Sequence, residues 1–316
     1  MLPPVLAERA DLEGPQRDYV GYGAKPPRVR WPNDAKVAVN IVINYETGSE
    51  RSYVYGDPHV ESLLEFQSPI AAAMRDLGAE SIHEYESRAG VWRLLRLFRE
   101  LDVKTTFFAS AAAYQRNPAV ATAATEQGHE TAFHGLRWEE PWELTDEQER
   151  ANVEQAVEIF TELTGERPVG CYWRYAPSVH SRQILVDLDF LYDANAYNDD
   201  LPYFVDVSGK QLLVVPYTLT YNDGKFVMAS GQGYGSPSDF VDYTVRAVDE
   251  LWQEGADGYP KMMSIGLHPR WMGQAGRTSA LREFIVHAQE KGDVWFARRD
   301  EIARWWIDHH NEFDRD

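Results

Sequence analysis

Four short apolar runs in this chain each end on a polar side chain, and that repetition constrains the fold more than any other feature. Val37–Tyr45 runs into Glu46, Glu130–Phe133 into His134, Val169–Trp173 into Arg174, and Met262–Leu267 into His268. Runs of this length, rich in β-branched and aromatic residues, read as buried strands. Further strands are expected at Lys104–Ala109, Phe190–Tyr197, Leu212–Leu219 and Val294–Arg298. Helical spacing lies between them. Val91, Leu94, Leu95, Phe98 and Leu101 share one face, as do Val153, Ala156, Val157, Phe160 and Leu163 behind a Thr145–Gln148 capping box. Strands alternating with helices imply parallel pairing. An open sheet would scatter the polar strand ends along its edge, whereas a barrel gathers them on one face, where active sites lie. The expectation is an α/β fold, a distorted (β/α) barrel of seven to eight parallel strands.

Around this body, residues 1–33 read as an extended N-terminal arm, broken by Pro3, Pro4, Pro15, Pro26, Pro27 and Pro32 and anchored by Tyr19 and Trp31. Residues 34–308 form a single barrel domain, and 309–316 a charged tail. The sequence also predicts a functional loop at Glu46–Pro58, a helix over Glu61–Leu77 interrupted at Pro69, and a loop over Ser81–Arg88. One helix is expected over Ala112–Gln127, closed by Gly128, and another behind a Ser238 cap with Val241, Val245, Val248 and Trp252 on one face.

A formal net charge of -19 over 316 residues argues against a nucleic-acid or anionic-membrane partner, either of which needs a clustered positive face. The single cysteine, Cys171, cannot form an internal disulfide and reads as a small buried hydrophobe. No leader-like segment or apolar span of membrane length is found, so a cytoplasmic location and a small-molecule substrate are expected.

Glu46, beside Tyr45 and ahead of Thr47-Gly48, reads either as a solvated loop carboxylate or as a general base at the barrel mouth. His134 and His268 close buried strands, positions suited to acid or base work, though either ring also suits a turn. Arg174 orients a carboxylate there or stacks on Tyr175. Glu84 and Arg88, four residues apart, form a helical ion pair or take part in orienting the site.

These residues resemble the polysaccharide deacetylases. The resemblance runs in chain order through Tyr45-Glu46-Thr47-Gly48, Gly128-His129-Glu130 with His134 to Trp138, Arg174 with Pro177, and Leu267-His268, covering about residues 30 to 305. In that family the first acidic residue serves as base, while the second acidic residue and two histidines hold a divalent metal. Here Thr47 and Trp138 occupy the second acidic and second histidine positions, which leaves only His134 of the ligand set. A zinc hydrolase needs three protein ligands and an open position, so the expectation is no cofactor and no metal-binding residue, with weak binding of an ion such as zinc left open.

The same combination is similar to the metal-independent allantoinases and related cyclic-amide hydrolases, through Asn44-Tyr45-Glu46, Glu84-Tyr85 with Ser87-Arg88, His134-Gly135 with Arg137-Trp138, Asp199-Asp200-Leu201-Pro202-Tyr203, Pro216-Tyr217-Thr218-Leu219, Ser264 to His268 and Trp295 to Arg299. The segment Trp173 to Pro177 is bulkier than that subgroup leads one to expect, which leaves the ring substrate open. The resemblance implies hydrolysis of a non-peptide amide C–N bond, as in ring opening of allantoin, a hydantoin or an imide. It makes Glu46 the general base and His134 and His268 the oxyanion and leaving-group partners, in an order left open. Arg174, Glu84, Arg88 and Tyr45 are expected to orient these groups or the substrate, and Trp138 to wall one side of the ring. Two alternatives stand beside it: an N-acetyl sugar deacetylase acting on peptidoglycan-type or chitin-type fragments, and an inactive ligand-binding barrel. A homo-oligomer, tetrameric by the resemblance, is expected.

Overall fold

The computed structural model describes residues 13–61, 70, 74–228 and 233–314. Its centre is β1 (Val37–Tyr45), every residue of which is buried. β1 pairs in parallel with β2 (Thr106–Ala109), with β8 (Lys261–Leu267) and, through its first residues, with β9 (Val294–Phe296). The sheet continues through β3 (Glu130–Phe133), β4 (Gly170–Cys171) and β5 (Tyr192–Asp193) to a hairpin of β6 (Tyr203–Val207) and β7 (Lys210–Val214), in the order β6-β7-β5-β4-β3-β2-β1-β8. The result is a curled, mostly parallel half-barrel. β6 is the exception to the expected parallel set, since it runs antiparallel to β7.

Strand periodicity separates two cores. Val37, Val39, Ile41, Ile43 and Tyr45 face the helices with Phe107, Phe133, Met263, Ile265 and Leu267. Ala38 and Val42 face the concave side with Phe108, Ala132, Tyr172, Tyr192, Tyr217 and Met262. The concave floor is filled by Arg299, which is fully buried and donates to Asn40 Oδ1 (3.2 Å), Ser264 Oγ (2.9 Å) and the carbonyls of Val215 and Pro216. The sheet path ends at β8, and the chain after β7 closes over that end. Gly266 N–H donates to the Tyr221 carbonyl at 3.2 Å, and Asn222 bridges Gly266 in parallel.

Several local expectations change. Ser81–Arg88 is no loop: α1 (Leu77–Tyr85), capped by Asp76, continues through a π-helical turn (Glu86–Gly90) into α2 (Val91–Glu100). The expected Ala112–Gln127 helix is two, α3 (Ala111–Arg116) and α4 (Pro118–Glu126), because Pro118 excludes helical geometry at Asn117, which adopts φ -138 and ψ 77. After α5 (Asp146–Thr164), a short helix α6 (Ser181–Asp187) went unforeseen. The cap of α7 (Pro237–Ala256) is Ser236 rather than Ser238. Beyond α8 (Ala275–Lys291), the expected strand Val294–Arg298 is β9 alone, and α9 (Arg299–His309) follows it, burying Ile302, Ala303 and Trp306. The end of the chain is not simply a charged tail, since Phe313 packs on Trp306. In the arm, Trp31 is buried and its indole N–H donates to the Lys261 carbonyl at 3.0 Å, while Tyr19 is exposed. Much of the expected Glu61–Leu77 helix, Pro69 included, lies outside the described residues. Among the described residues no helix is long and apolar enough to cross a membrane.

Gly266 tests the closure of the half-barrel. A β-carbon there would fall onto the Tyr217 hydroxyl and 2.6 Å from Asn222 Nδ2. Gly266→Ala is expected to lose about 1–3 kcal/mol of stability through overpacking, read as a lower midpoint in urea unfolding at unchanged slope.

Candidate active site

The same periodicity that sorts the cores delivers the reactive groups. Ala38, Asn40, Val42 and Asn44 point into the half-barrel, so the next residue of that parity, Glu46, does too. His134 follows Ala132 on the concave side of β3, and His268 follows Ser264 and Gly266 on that of β8. Arg174 follows Tyr172 beyond β4. All four groups border one cavity of about 450 Å³ at the C-terminal mouth, with Arg270, Trp138 and Trp271 in its wall.

Glu46 is the hub. Its Oε1 lies 3.0 Å from His134 Nε2, and its Oε2 accepts from Arg270 Nη1 at 2.6 Å. His134 Nδ1 sits 2.6 Å from the Tyr172 carbonyl, which can only accept, so Nδ1 carries a proton. The contact with Glu46 therefore needs a second proton between Nε2 and Oε1. Across the mouth, His268 Nε2 lies 3.7 Å from Glu46 Oε2, too far for a direct hydrogen bond. Asp223 fixes that ring: Oδ1 is 2.7 Å from His268 Nδ1, and Oδ2 accepts the His268 backbone N–H at 2.7 Å. Burial, the largest influence, pushes the Glu46 carboxyl up. Arg270, then His268 and His134, more than offset it and hold the group well below the usual glutamate value.

Arg270 is itself buried and also donates through Nη1 to Glu86 Oε2 at 2.9 Å. The other Glu86 oxygen accepts the backbone N–H groups of Glu46 (2.6 Å) and Thr47 (2.9 Å). The π-turn makes this possible by turning Glu86 inward, a common role for such bulges. At its far end Gly90 passes so near the Pro269 carbonyl that no β-carbon would fit. The guanidinium lies over the Trp271 ring (4.3 Å to the centroid) and near that of Trp138 (5.3 Å), while Arg174 stacks on Trp138 at 3.8 Å.

The structure thus brings together Glu46, His134, His268, Arg174 and Trp138, and leaves three expected residues elsewhere. Tyr45 has the opposite parity to Glu46; its ring packs on Tyr114 and its hydroxyl donates to Ser87 Oγ at 2.9 Å. Glu84 and Arg88 lie along α1 and the π-turn and border a separate depression with Ser81 and Trp92. Arg174 reaches Glu61 Oε2 at 2.7 Å and the Tyr175 hydroxyl at 2.8 Å rather than Glu46. Sequence reasoning missed Arg270, Asp223 and Glu86. None of the three left a local signal: Arg270 lies in the turn that follows His268, past the end of β8, and Asp223 and Glu86 arrive from a short turn and a helix.

The polysaccharide deacetylase profile matches residues 78–190. A polysaccharide deacetylase homologue of Schizosaccharomyces pombe is 35% identical over 314 residues, 93% of this chain and 98% of the relative. The chain belongs to the polysaccharide deacetylase family. A solved structure of a probable polysaccharide deacetylase from Pseudomonas aeruginosa is 44% identical, with a TM-score of 0.87 over 93% of this chain and 98% of that one. A solved PuuE allantoinase is 43% identical at the same TM-score and coverage, in keeping with the allantoinase-like subgroup. Membership places this polysaccharide deacetylase-family chain among hydrolases of carbon–nitrogen bonds other than peptide bonds.

The divalent metal of the polysaccharide deacetylase family does not fit the residues present. The Thr47 hydroxyl is turned to the His83 carbonyl at 2.7 Å, and Trp138 is an indole between two guanidiniums. Among the described residues no group of three or more His, Cys, Asp or Glu side chains is arranged to hold an ion. His83, near Trp138, is pushed down to about 3, first by burial and then by Arg270, so it is a neutral ring at working pH. Glu86 is the structural linchpin. Glu86→Leu would leave Arg270 with Glu46 as its one carboxylate and two backbone donors without acceptors, and an expected loss of about 3–5 kcal/mol should appear in denaturant unfolding.

Proposed function

We propose that the protein hydrolyses the amide C–N bond of a small cyclic amide of the allantoin, hydantoin or imide class, with Glu46 as general base. The observation that carries this reading is the opposition of Glu46 and the Asp223-oriented His268 across a 3.7 Å gap at the cavity mouth. That gap is too wide for a direct bond and suits a bridging water or reacting atom. Water held there loses a proton to Glu46 as its oxygen bonds to the substrate carbonyl carbon. The carbonyl oxygen takes up the displaced electron pair, and an imidazole facing it stabilises that charge. The C–N bond then breaks, with a proton delivered to the departing nitrogen. His268 suits that delivery when it carries a proton on Nε2 as well: Asp223 holds Nδ1, the Nε2 proton faces the gap and passes to the nitrogen, and the proton taken up by Glu46 restores the site once product leaves. His134, whose two ring nitrogens are taken by Glu46 and the Tyr172 carbonyl, supports that charge through the proton it shares with Glu46 rather than through a free N–H.

The walls support a compact, flat substrate. Trp138, Tyr172, Tyr175, Trp271 and Leu219 enclose a cavity of about 450 Å³, in the range that holds small ligands. The deacetylase alternative predicts acetate release from N-acetyl sugar oligomers; the ring-opening reading predicts none, and turnover of allantoin or a hydantoin without ammonia. Glu46→Gln is expected to lower kcat by roughly 10²-fold or more while leaving KM near its starting value. Because Glu46 is held well below the usual carboxylate range, it stays ionised as pH falls through that range. The acid limb of kcat/KM for the wild type should therefore lie below the ordinary glutamate value. A limb at or above that value, or a Glu46→Gln variant with full turnover, removes the base assignment.

A further inference from the structure

We propose that Tyr175, Leu219 and Met228 form an outer subsite of the active cavity, one that takes an apolar alkyl or aryl substituent on the ring being opened. The proposal rests on the cyclic-amide reading above and narrows it, from any hydantoin or imide to those that carry such a group.

Layering of the cavity is the first support. Glu46, His134 and His268 are buried on its inner side, whereas Tyr175, Leu219 and Met228 line the same cavity and are 50%, 51% and 55% exposed. Large apolar side chains left open beside a buried reactive centre mark a place where a ligand completes the burial. A bare five-membered ring set against Glu46 and His268 would leave all three open. A substituent reaching outward from that ring would cover them.

Hydrogen bonding points the same way, because most polar atoms on this side are already engaged within the protein. Arg174 Nη2 donates to the Tyr175 hydroxyl at 2.8 Å and to Glu61 Oε2 at 2.7 Å. The Tyr197 hydroxyl donates to the Tyr175 carbonyl at 2.8 Å and lies 2.8 Å from the Tyr172 hydroxyl. Asn222 gives Nδ2 to the Tyr217 hydroxyl at 3.0 Å and accepts the Gly224 N–H at 2.7 Å, and the Lys225 ammonium lies 5.0 Å from the centre of the Tyr243 ring. A polar substituent such as a ureido group would give up its water for partners that are taken, at a cost that an apolar group does not meet.

The backbone supplies the third observation. Tyr175 has a φ of 62°, a conformation that a bulky aromatic residue rarely adopts. Across it the Ala176 N–H donates to the Arg174 carbonyl at 2.8 Å, closing a strained three-residue turn, and the Arg174 guanidinium lies over its ring at 4.4 Å. Glycine would take this turn without strain. A tyrosine there is explained by its ring, which the turn and its tethers hold at the edge of the cavity.

The test measures kcat/KM on three rings that differ at one carbon: hydantoin, both enantiomers of 5-benzylhydantoin, and allantoin, whose substituent is a ureido group. The expected result is a preference of about tenfold or more for the better benzyl enantiomer over the other two rings, carried by KM. Tyr175→Gly removes the ring and suits the turn, and Met228→Ser makes an exposed position polar; each is expected to bring the benzyl-to-hydantoin ratio down toward one. A wild-type ratio at or below one, allantoin as the best of the three, or a ratio that both folded variants leave unmoved overturns the subsite. Calorimetry on the wild type separates the two possible failures. If no ring is opened, the proposed function fails. The subsite then stands if 5-benzylhydantoin binds about tenfold tighter than hydantoin and Tyr175→Gly abolishes the difference, and it falls if the two bind alike or not at all.

Discussion

The position of every group at the mouth depends on the two-residue repeat of a buried strand. On β1 that repeat sends Val37 through Tyr45 at odd positions into the helix layer and Ala38 through Asn44 at even positions into the concave space. A one-residue slip would exchange Glu46 for Tyr45 and turn the aliphatic face of β1 inward, so burial of that face protects the register. The floor makes the same register polar. Asn40 and Ser264 sit inside because Arg299 needs their oxygens. With the floor occupied by Arg299, held by four acceptor oxygens, the cavity above it lies at the C-terminal mouth, where Glu46, His134 and His268 collect.

Electrostatics then divides two guanidiniums with similar burial into different roles. Arg299 meets neutral oxygens and aromatic rings, and burial leaves its guanidinium less basic than usual. Arg270 suffers the same burial but faces two carboxylates, which raise it above the ordinary arginine value. Buried ion pairs rarely add net stability, since desolvation consumes most of the attraction. The Glu46–Arg270–Glu86 cluster is therefore poorly explained as a device for holding the fold. It is better explained by what it does to one carboxylate, which stays ionised although it is buried.

Strand ends were legible in the sequence because an apolar run with a polar terminus suits a buried strand opening onto a solvated mouth and suits little else. Glu46, His134 and His268 were found that way, and so was the curled α/β architecture. Parity was the part left unused: applied to Asn44-Tyr45-Glu46 it rejects Tyr45, whereas Arg270 sits in the turn after β8, where strand parity no longer applies. Other features leave little local trace. The stretch Ser81–Arg88 is dense in charge and aromatics and reads as a loop, yet it is helical, because Asp76 caps it and the π-turn needs only Glu86 and Gly90 to face inward. β6, the antiparallel strand, is half-exposed along most of its length, so its pattern lacks the apolar run that marked β7 and the others. Asp223 sits in a short turn, and only its contact with His268 in three dimensions marks it.

At the positions where the family pattern holds a metal, the side chains of this chain make other contacts. A guanidinium inside the mouth needs a flat apolar cover to keep water from its unpaired nitrogens, and an indole at position 138 provides one where an imidazole would be too small and would compete for the same protons. A carboxylate at position 47 would add a negative charge to a site that already holds Glu46, Glu86 and the buried Glu50, whereas a threonine hydroxyl finds its acceptor on the His83 backbone. His83 in turn must stay neutral next to Arg270, and burial ensures that it does.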